Sequence, residues 1–280
     1  MRKRKLIQVI CALLYNCNFT GFAEGKIYQG DIKGVCVPGL NCYSCPGAVG
    51  SCPLGSLQTA LLSSRYKFPY YILGMLLLFG VILGRVVCGF LCPFGLLQEL
   101  LYKIPSKKIQ KNKWTRRLSL LKYMILIVFV IGIPLILAVP GFCKYICPAG
   151  TLEGGIFLVA MNEKLQALIG GLFSWKMAVL AVVIISAVFI FRSFCRFICP
   201  LGAFYALFHK VSMVGMKLDE EKCNGCNACV AHCKMDVKRV GDRECIQCGE
   251  CIDKCSQCAL SFGGKVFEGK REGTKTQQTQ

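Results

Sequence analysis

Two runs of cysteine near the C-terminus carry the strongest chemistry in this sequence: Cys223-x2-Cys226-x2-Cys229-x3-Cys233 and Cys245-x2-Cys248-x2-Cys251-x3-Cys255. Three thiolates at this spacing wrap one iron–sulfur cube, and the fourth crosses to the neighbouring cube. One [4Fe–4S] cluster is therefore expected on Cys223, Cys226, Cys229 and Cys255, and a second on Cys245, Cys248, Cys251 and Cys233. Zinc is the competing occupant, but paired x2, x2, x3 runs do not suit a single tetrahedral ion. The proline that commonly follows the fourth cysteine is Lys234 in one run and Ser256 in the other; it is not a ligand, so assembly does not depend on it. Cys258 reads as spare. His232 reads as a surface residue, and His209 as an interfacial one.

A second constellation lies upstream. A short phrase occurs four times: Cys52-Pro53-Leu54-Gly55, Cys92-Pro93-Phe94-Gly95, Cys147-Pro148-Ala149-Gly150 and Cys199-Pro200-Leu201-Gly202. In the last three copies another cysteine stands four residues earlier, at Cys88, Cys143 and Cys195. In the first copy Cys36, Cys42 and Cys45 precede at looser spacing. Proline suits the first turn of a helix, where its missing N–H costs nothing. The cysteine then sits at the helix mouth, where free N–H groups and the positive dipole end favour an anion such as a thiolate-ligated cluster. Lys144 and Arg196 add positive charge inside two copies.

The elements that position these residues are apolar. Of 280 residues, 54% are hydrophobic, and three long runs, about 68–87, 118–139 and 172–191, each approach the ~20 residues that cross a hydrocarbon core. Pro134 is expected to kink the second. The N-terminus reads as a basic flank, Arg2-Lys3-Arg4-Lys5, followed by a short apolar stretch with Gly21 and Ala23 beyond it, so residues 1–23 read as a signal peptide or a first membrane helix, with a buried helix of a soluble domain as the lesser alternative. Cys11 and Cys17 lie in that leader as small apolar residues. The formal net charge of +19 would suit nucleic acid, but the basic residues flank the apolar runs, as membrane topology requires; four clusters at about −2 each would also offset roughly 8 of those charges. Nine Lys or Arg fall between Arg85 and Lys122, against four between Ala23 and Lys67 and three between Pro140 and Lys176. The loop from Lys103 to Arg117 is thus cytoplasmic, the segments around Cys45 and Cys147 face outward, and the chain after Phe191 returns to the cytoplasm.

Repeat and orientation together give a parallel duplication with a pseudo-twofold axis along the membrane normal. Phrases two and four then meet on the inner side, where Cys88, Cys92, Cys195 and Cys199 supply one cluster. Phrases one and three meet outside, where Cys143 and Cys147 join two of the earlier cysteines; Cys45 and Cys52 are nearest the repeated phrase. For the outward cysteines disulfides are the alternative, and Cys36 and Cys42 remain ligands, bridged or free. Iron bound by these cysteines is the expected metal. The expected fold is mainly α: a polytopic helical membrane domain over 68–211, preceded by an outward Cys-rich segment at 24–67 and followed by a small α+β two-cluster ferredoxin domain at 216–267 and a disordered tail at 268–280.

These motifs resemble the membrane polyferredoxins of the NapH, NosR and CcoG type over roughly Tyr70 to Phe262. The resemblance rests on Cys88-x3-Cys92-Pro93, Cys143-x3-Cys147-Pro148, Cys195-x3-Cys199-Pro200 and the double ferredoxin run. It implies quinol oxidation, electron supply to exported reductases, or assembly of metal centres. Family members commonly carry two such Cys-Pro motifs, whereas this chain has three and the Cys36–Cys52 segment besides. No nucleophile–base pair, paired catalytic carboxylates or phosphate-cradling loop stands out, so the redox chemistry falls to cofactors and the chain reads as an electron-transfer component of a membrane oxidoreductase. The expected function is a relay in the cytoplasmic membrane between a cytoplasmic donor or acceptor at the ferredoxin module and an outward cluster, serving an exported redox protein, such as a flavin-bearing one, or a quinone. The alternative is a factor that reduces a metal ion for insertion elsewhere, with Cys36 and Cys42 as its thiols. A redox-sensing regulator would need a signalling domain, and none is visible. One difficulty attends the relay: faces ~30 Å apart are far for a direct electron hop.

Overall fold

The computed structural model describes residues 2–63, 69–109, 111–167 and 169–264; the expected tail at 268–280 and the start of the first apolar run at Phe68 lie outside the described residues. The chain is mostly helical, with one small antiparallel sheet, Val214–Leu218 against Leu260–Gly264, in which Met216 pairs with Phe262.

Two helices are long and apolar enough to cross a membrane, Lys113–Leu137 and Gly171–Phe189. Their apolar side chains turn outward: Ile136 is 81% exposed, Val182 65% and Ile127 64%, which suits lipid and not water. The first expected run, 68–87, does not form a full span. Its helix is Tyr70–Ile82, about 20 Å at 1.5 Å per residue. It stops at Gly84, whose φ of +49° turns the chain away.

A left-handed residue follows each long helix, Ala138 directly after Leu137 and Arg192 three residues after Phe189, each close before the next cysteine. After each such turn the chain doubles back into the molecule. Gly141 shows how tightly: a Cβ there would lie 2.8 Å from Ile133 Cγ2 and 2.9 Å from the Phe129 carbonyl, so the segment entering Cys143 runs against the helix it has just left. Pro134 meets no rigid α ladder, because Leu126–Gly132 just before it winds as a wide π-type turn, one way a helix absorbs the missing N–H and the carbonyl it leaves free.

The leader forms the helix Arg2–Tyr15, which packs on Val87–Leu91 and on the helix Pro93–Leu101. Arg4 is buried there. Its guanidinium reaches Glu99 at 2.8 and 2.9 Å, the Gly89 carbonyl at 3.2 Å and Glu250 at 3.1 Å. The Cys36–Cys52 segment folds over the far end of this helix: Val49 N–H donates to the Tyr15 carbonyl at 3.0 Å, and Asn18 N–H to the Gly47 carbonyl at 3.1 Å.

The ferredoxin module is fastened to the helical part by charge. Glu244 lies 2.5 Å from Lys122 Nζ and 3.7 Å from Arg85, whose guanidinium also donates to the Arg243 carbonyl at 2.9 Å. Asp236 receives Arg196, and Asp242 receives Arg116 at 3.3 Å. Lys111 donates to the Cys233 carbonyl at 3.2 Å. Replacing Glu244 with Ala leaves Arg85 and Lys122 buried without their carboxylate, a loss of about 3–5 kcal/mol on the scale of broken buried pairs. The expected outcome is a lower thermal midpoint in detergent and faster proteolysis at the junction near Met213. Asp219→Ala, at the exposed pair with Lys222, should leave both unchanged; equal effects from the two variants would show that Glu244 does not hold the module in place.

Candidate iron–sulfur centres

In the ferredoxin module the two cysteine loops share one backbone device. Gly225 and Asn227 in the first and Gln247 and Gly249 in the second all have positive φ, at matching places two and four residues after the first cysteine. Such reversals turn successive N–H groups inward and make an anion-binding nest. Gln247 is fixed by its carboxamide, which accepts from Met216 N–H at 2.7 Å. Cys233 and Cys251 thiols lie within electrostatic reach of Cys245 and Cys248. Burial pushes both thiols up to about 12, so a bound metal would be what holds them as thiolates. Cys223 and Cys226 are exposed, and the short helix Ala228–Ala231 carrying Cys229 packs on Ile252–Lys254, next to Cys255.

The four Cys-Pro phrases fold alike. Each starts a helix with proline in its first turn, as at Pro93–Leu101 and Pro200–Leu207. In each, the glycine three residues on points its N–H at the cysteine sulfur: Gly55 at Cys52, Gly95 at Cys92, Gly150 at Cys147 (3.4 Å) and Gly202 at Cys199 (3.3 Å). The lead-in turns of phrases three and four also match. Ile146 and Cys147 N–H both donate to the Phe142 carbonyl, and Ile198 and Cys199 N–H to the Phe194 carbonyl, all at 2.9 Å.

Cys88, Cys92, Cys195 and Cys199 line one enclosed space with Val87, Leu201 and Tyr205, and their sulfurs are mutual electrostatic neighbours. Phrases two and four thus face each other. On the other side Cys42, Cys52, Cys143 and Cys147 gather around a cavity of about 780 Å³ that Cys36, Tyr71 and Lys176 also line. The expected outer set differs at one place. The structure brings Cys42, not Cys45, to Cys147, because Glu153 accepts the Cys42 N–H at 2.7 Å and holds it there. The Cys45 thiol turns instead to the Gly47 and Ala48 amides. Cys36 is buried beside Ser56; no disulfide forms among the described residues.

Four residues that the sequence reading passed over brace the facing segments, all six positions after the phrase cysteine. Gln98 accepts from Phe194 N–H at 3.1 Å and donates to Cys195 Sγ at 3.0 Å. Gln58 accepts from Cys143 N–H at 3.4 Å. Glu153 holds Cys42. The Tyr205 hydroxyl donates to the Pro38 carbonyl at 2.9 Å. The signal was present, since extending the repeat by three residues aligns Gln58, Gln98, Glu153 and Tyr205, but nothing in residue type alone marks a brace.

The inner set is also surrounded by buried charge. Arg4, Arg85, Lys122, Arg192 and Arg196 are at most 4% exposed, and Glu99, Asp236 and Glu244 are their buried carboxylate partners. Asp242 is taken by the more exposed Arg116. Arg192 sits in the left-handed region, which costs roughly 1–2 kcal/mol, and is held there by Glu99 at 2.6 and 3.0 Å and by the Cys88 carbonyl. Five buried cations stand against three buried carboxylates, with the partly exposed Glu250 shared by Arg4 and Lys234, so buried positive charge is in excess, as suits the negative core of a [4Fe–4S] group with four thiolates. Buried donors without a protein acceptor remain on Arg85 and Arg196 at this set, and on Asn41 and Gln58 at the outer one; sulfide is the acceptor such donors suit. Thiol donors, surplus positive charge and spare N–H groups together fit the iron–sulfur group.

Gln98→Leu removes the donor to Cys195 Sγ while Cys195 itself stays. Since hydrogen bonds to sulfur help set the potential, the inner centre is expected to shift to lower potential in an EPR-monitored titration, with the ferredoxin potentials fixed. An inner potential that stays put, or moves together with the rest, would show that the brace does not act on the sulfur.

The geometry agrees with comparisons to known proteins. A family model described as a 4Fe-4S binding domain matches three consecutive segments, residues 68–112, 121–170 and 171–218, and a second 4Fe-4S binding domain matches 216–239. An uncharacterized protein of Methanocaldococcus jannaschii is 32% identical over 201 residues, covering 68% of this chain and 69% of its own length. The putative electron transport protein YccM of Escherichia coli is 23% identical over 213 residues, 71% of this chain and 57% of YccM. The ferredoxin-type protein NapH of the same organism is 22% identical over 200 residues, 67% of this chain and 64% of NapH. No solved structure matches. With the first family model covering half of the chain across all three of its later Cys-Pro phrases, the chain belongs to the 4Fe-4S binding domain family of membrane polyferredoxins.

Proposed function

We propose that this chain is a multi-pass electron relay of the cytoplasmic membrane, joining a cytoplasmic ferredoxin module to an outward thiol set that serves an exported redox protein or a quinone. A [4Fe–4S] cluster supplies reversible one-electron storage. Four such groups would be held by Cys223, Cys226, Cys229 and Cys255; by Cys245, Cys248, Cys251 and Cys233; by Cys88, Cys92, Cys195 and Cys199; and by Cys42, Cys52, Cys143 and Cys147. The two helical sets come from phrases two with four and one with three, in keeping with a pseudo-twofold duplication.

The observation that carries this reading is the closeness of the ferredoxin module to the inner set. A Cβ on Gly89, the neighbour of Cys88, would lie 2.4 Å from the Ile246 carbonyl and 3.7 Å from Cys248 Cα. Only glycine lets the loop that carries Cys88 come this near the loop that carries Cys248. Sidedness has support as well: Lys111, Arg116 and Lys122, from the most basic part of the chain, are the residues that grip the ferredoxin module, and basic loops stay cytoplasmic. The exposed Cys223 and Cys226 then face a cytoplasmic partner, while the cavity around Cys143 and Cys147 faces the opposite one.

The metal-reducing alternative has less to stand on. With Cys42 beside Cys147, Cys36 is left as a single thiol beside Ser56.

Anaerobic purification with iron and sulfide counting tests the reading. About 16 iron atoms per chain are expected from four four-iron groups, with about 4 lost in Cys143→Ala and in Cys42→Ala and none in Cys45→Ala. Only about 8 in the wild type would reduce the protein to a ferredoxin on a membrane anchor.

A further inference from the structure

The outer and inner thiol sets approach each other inside the molecule. The Cys36–Cys52 segment threads between them. Gly39 lies directly on the second phrase: a Cβ there would be 3.2 Å from Cys92 Cα, 3.2 Å from Pro93 Cδ and 3.1 Å from the Leu91 carbonyl. The next two residues divide their backbone amides between the sets. Leu40 N–H points at the Cys92 sulfur, and Asn41 N–H points at the Cys52 sulfur. Leu40 is 3% exposed and Asn41 fully buried, so water does not enter this junction. The Asn41 carboxamide is clamped by Asn16, which donates to its Oδ1 at 2.9 Å, and the Tyr205 hydroxyl fixes the segment at Pro38.

We propose that the Leu40–Asn41 backbone is the electron link between the two thiol sets, with the Leu40 amide facing one sulfur, the Asn41 amide facing the other, and only the Leu40 Cα and carbonyl carbon between the two nitrogens. The inference rests on the four-centre reading above and adds the route through it. In each transfer one electron leaves the centre on one side as one is gained on the other, and no proton crosses, since both amides keep their hydrogens. The electron is supplied by the reduced ferredoxin module, or chemically by dithionite. Covalent bonds and amide-to-sulfur contacts couple donor and acceptor better than an equal gap of packed side chains, so a mostly covalent route with an amide facing sulfur at each end outcompetes one through apolar neighbours. The rival route is the Tyr205 ring, which is fully buried and electrostatically close to Cys88, Cys92 and Cys199 of the inner set and to Cys52 of the outer one.

The test follows reduction of the full-length, anaerobically purified protein by freeze-quench EPR after mixing with dithionite-reduced ferredoxin. Leu40→Pro removes the amide hydrogen facing Cys92; Leu40→Ala keeps it and serves as the rescue. The expected result is that Leu40→Pro slows reduction of the outer centre several-fold while inner-centre reduction is unchanged, that Leu40→Ala restores the wild-type rate, and that Tyr205→Leu slows it less than Leu40→Pro. A Leu40→Pro protein that keeps its iron and transfers at the wild-type rate overturns the proposal. So does a Tyr205→Leu protein slowed as much as Leu40→Pro, which makes the ring the route. If Leu40→Pro loses iron, the wild type decides: with both centres reduced, spin–spin splitting between them is expected, and its absence overturns the link. An iron count of about 8 in the wild type strikes the four-centre reading itself, whereas about 16 with no splitting strikes only this route.

Discussion

Burying a thiolate-ligated dianion away from water sets the terms for everything around it. Charges removed from solvent are costly unless paired, and this chain meets that cost with guanidinium groups packed about the inner cysteines. Arg192 bonds Glu99 and the Cys88 carbonyl; Arg85 lies beside Cys88 and Cys195; Arg4 closes on Glu99 from the N-terminal helix. The carboxylates do not neutralise these cations completely, so the arrangement is electrostatically complete only with the cluster in place. Metal loading and folding should be linked here for that reason. The same logic makes the basic N-terminal helix part of the folded domain, since Arg4 joins Glu99 of one cysteine helix to Glu250 of the ferredoxin module.

The need to aim helix mouths at the clusters explains why the helical part is not a plain bundle of spans. A helix presents free N–H groups only at its start, so every Cys-Pro phrase must begin a helix at the cluster. The chain therefore turns at Gly84, Ala138 and Arg192 and re-enters the molecule. Irregular backbone at such depth is tolerated only where protein satisfies it. That is the task of Gln58, Gln98 and Glu153, each of which accepts a backbone N–H on the segment opposite.

Much of this was legible in the cysteines. Their spacing, with proline at the helix start and glycine three residues on, encodes local backbone geometry, and local geometry repeats: the matching hydrogen bonds at Cys147 and Cys199 are the physical form of a repeated phrase. The pairing of the phrases was legible for the same reason. Length was a poorer guide. The run at 68–87 has the composition of a span, but composition carries no signal for where a helix stops, and Gly84 ends it early. Choosing Cys45 by nearness to the phrase failed because the selection is made by a residue more than a hundred positions away, Glu153, whose bond to Cys42 leaves Cys45 to its own turn. The sequence also left open whether the helical sets lie deep between helices or need a further carrier between them. Re-entry brings Cys52 and Cys92 to either side of one short strand of chain, and no periodicity in the sequence reports that.

The two helical sets share a framework but not an electrostatic setting, and this orders them. At the inner set Gln98 donates to a ligand sulfur, and buried cations outnumber the buried carboxylates. At the outer set the brace in phrase three is Glu153, an acid in place of an amide, and Lys33 is spent on the Ala48 carbonyl at 2.6 Å. An added electron is stabilised by nearby positive charge and by N–H groups aimed at sulfur, and destabilised by a neighbouring carboxylate. With Glu153 ionised, and despite Lys176 at the outer cavity, the same four-thiol ligation would hold an electron more firmly on the inner side than on the outer. In the proposed relay, delivery toward the ferredoxin module would run with that gradient, and delivery to a partner at the outer set would be driven by the potential of whatever reduces the exposed ferredoxin centre.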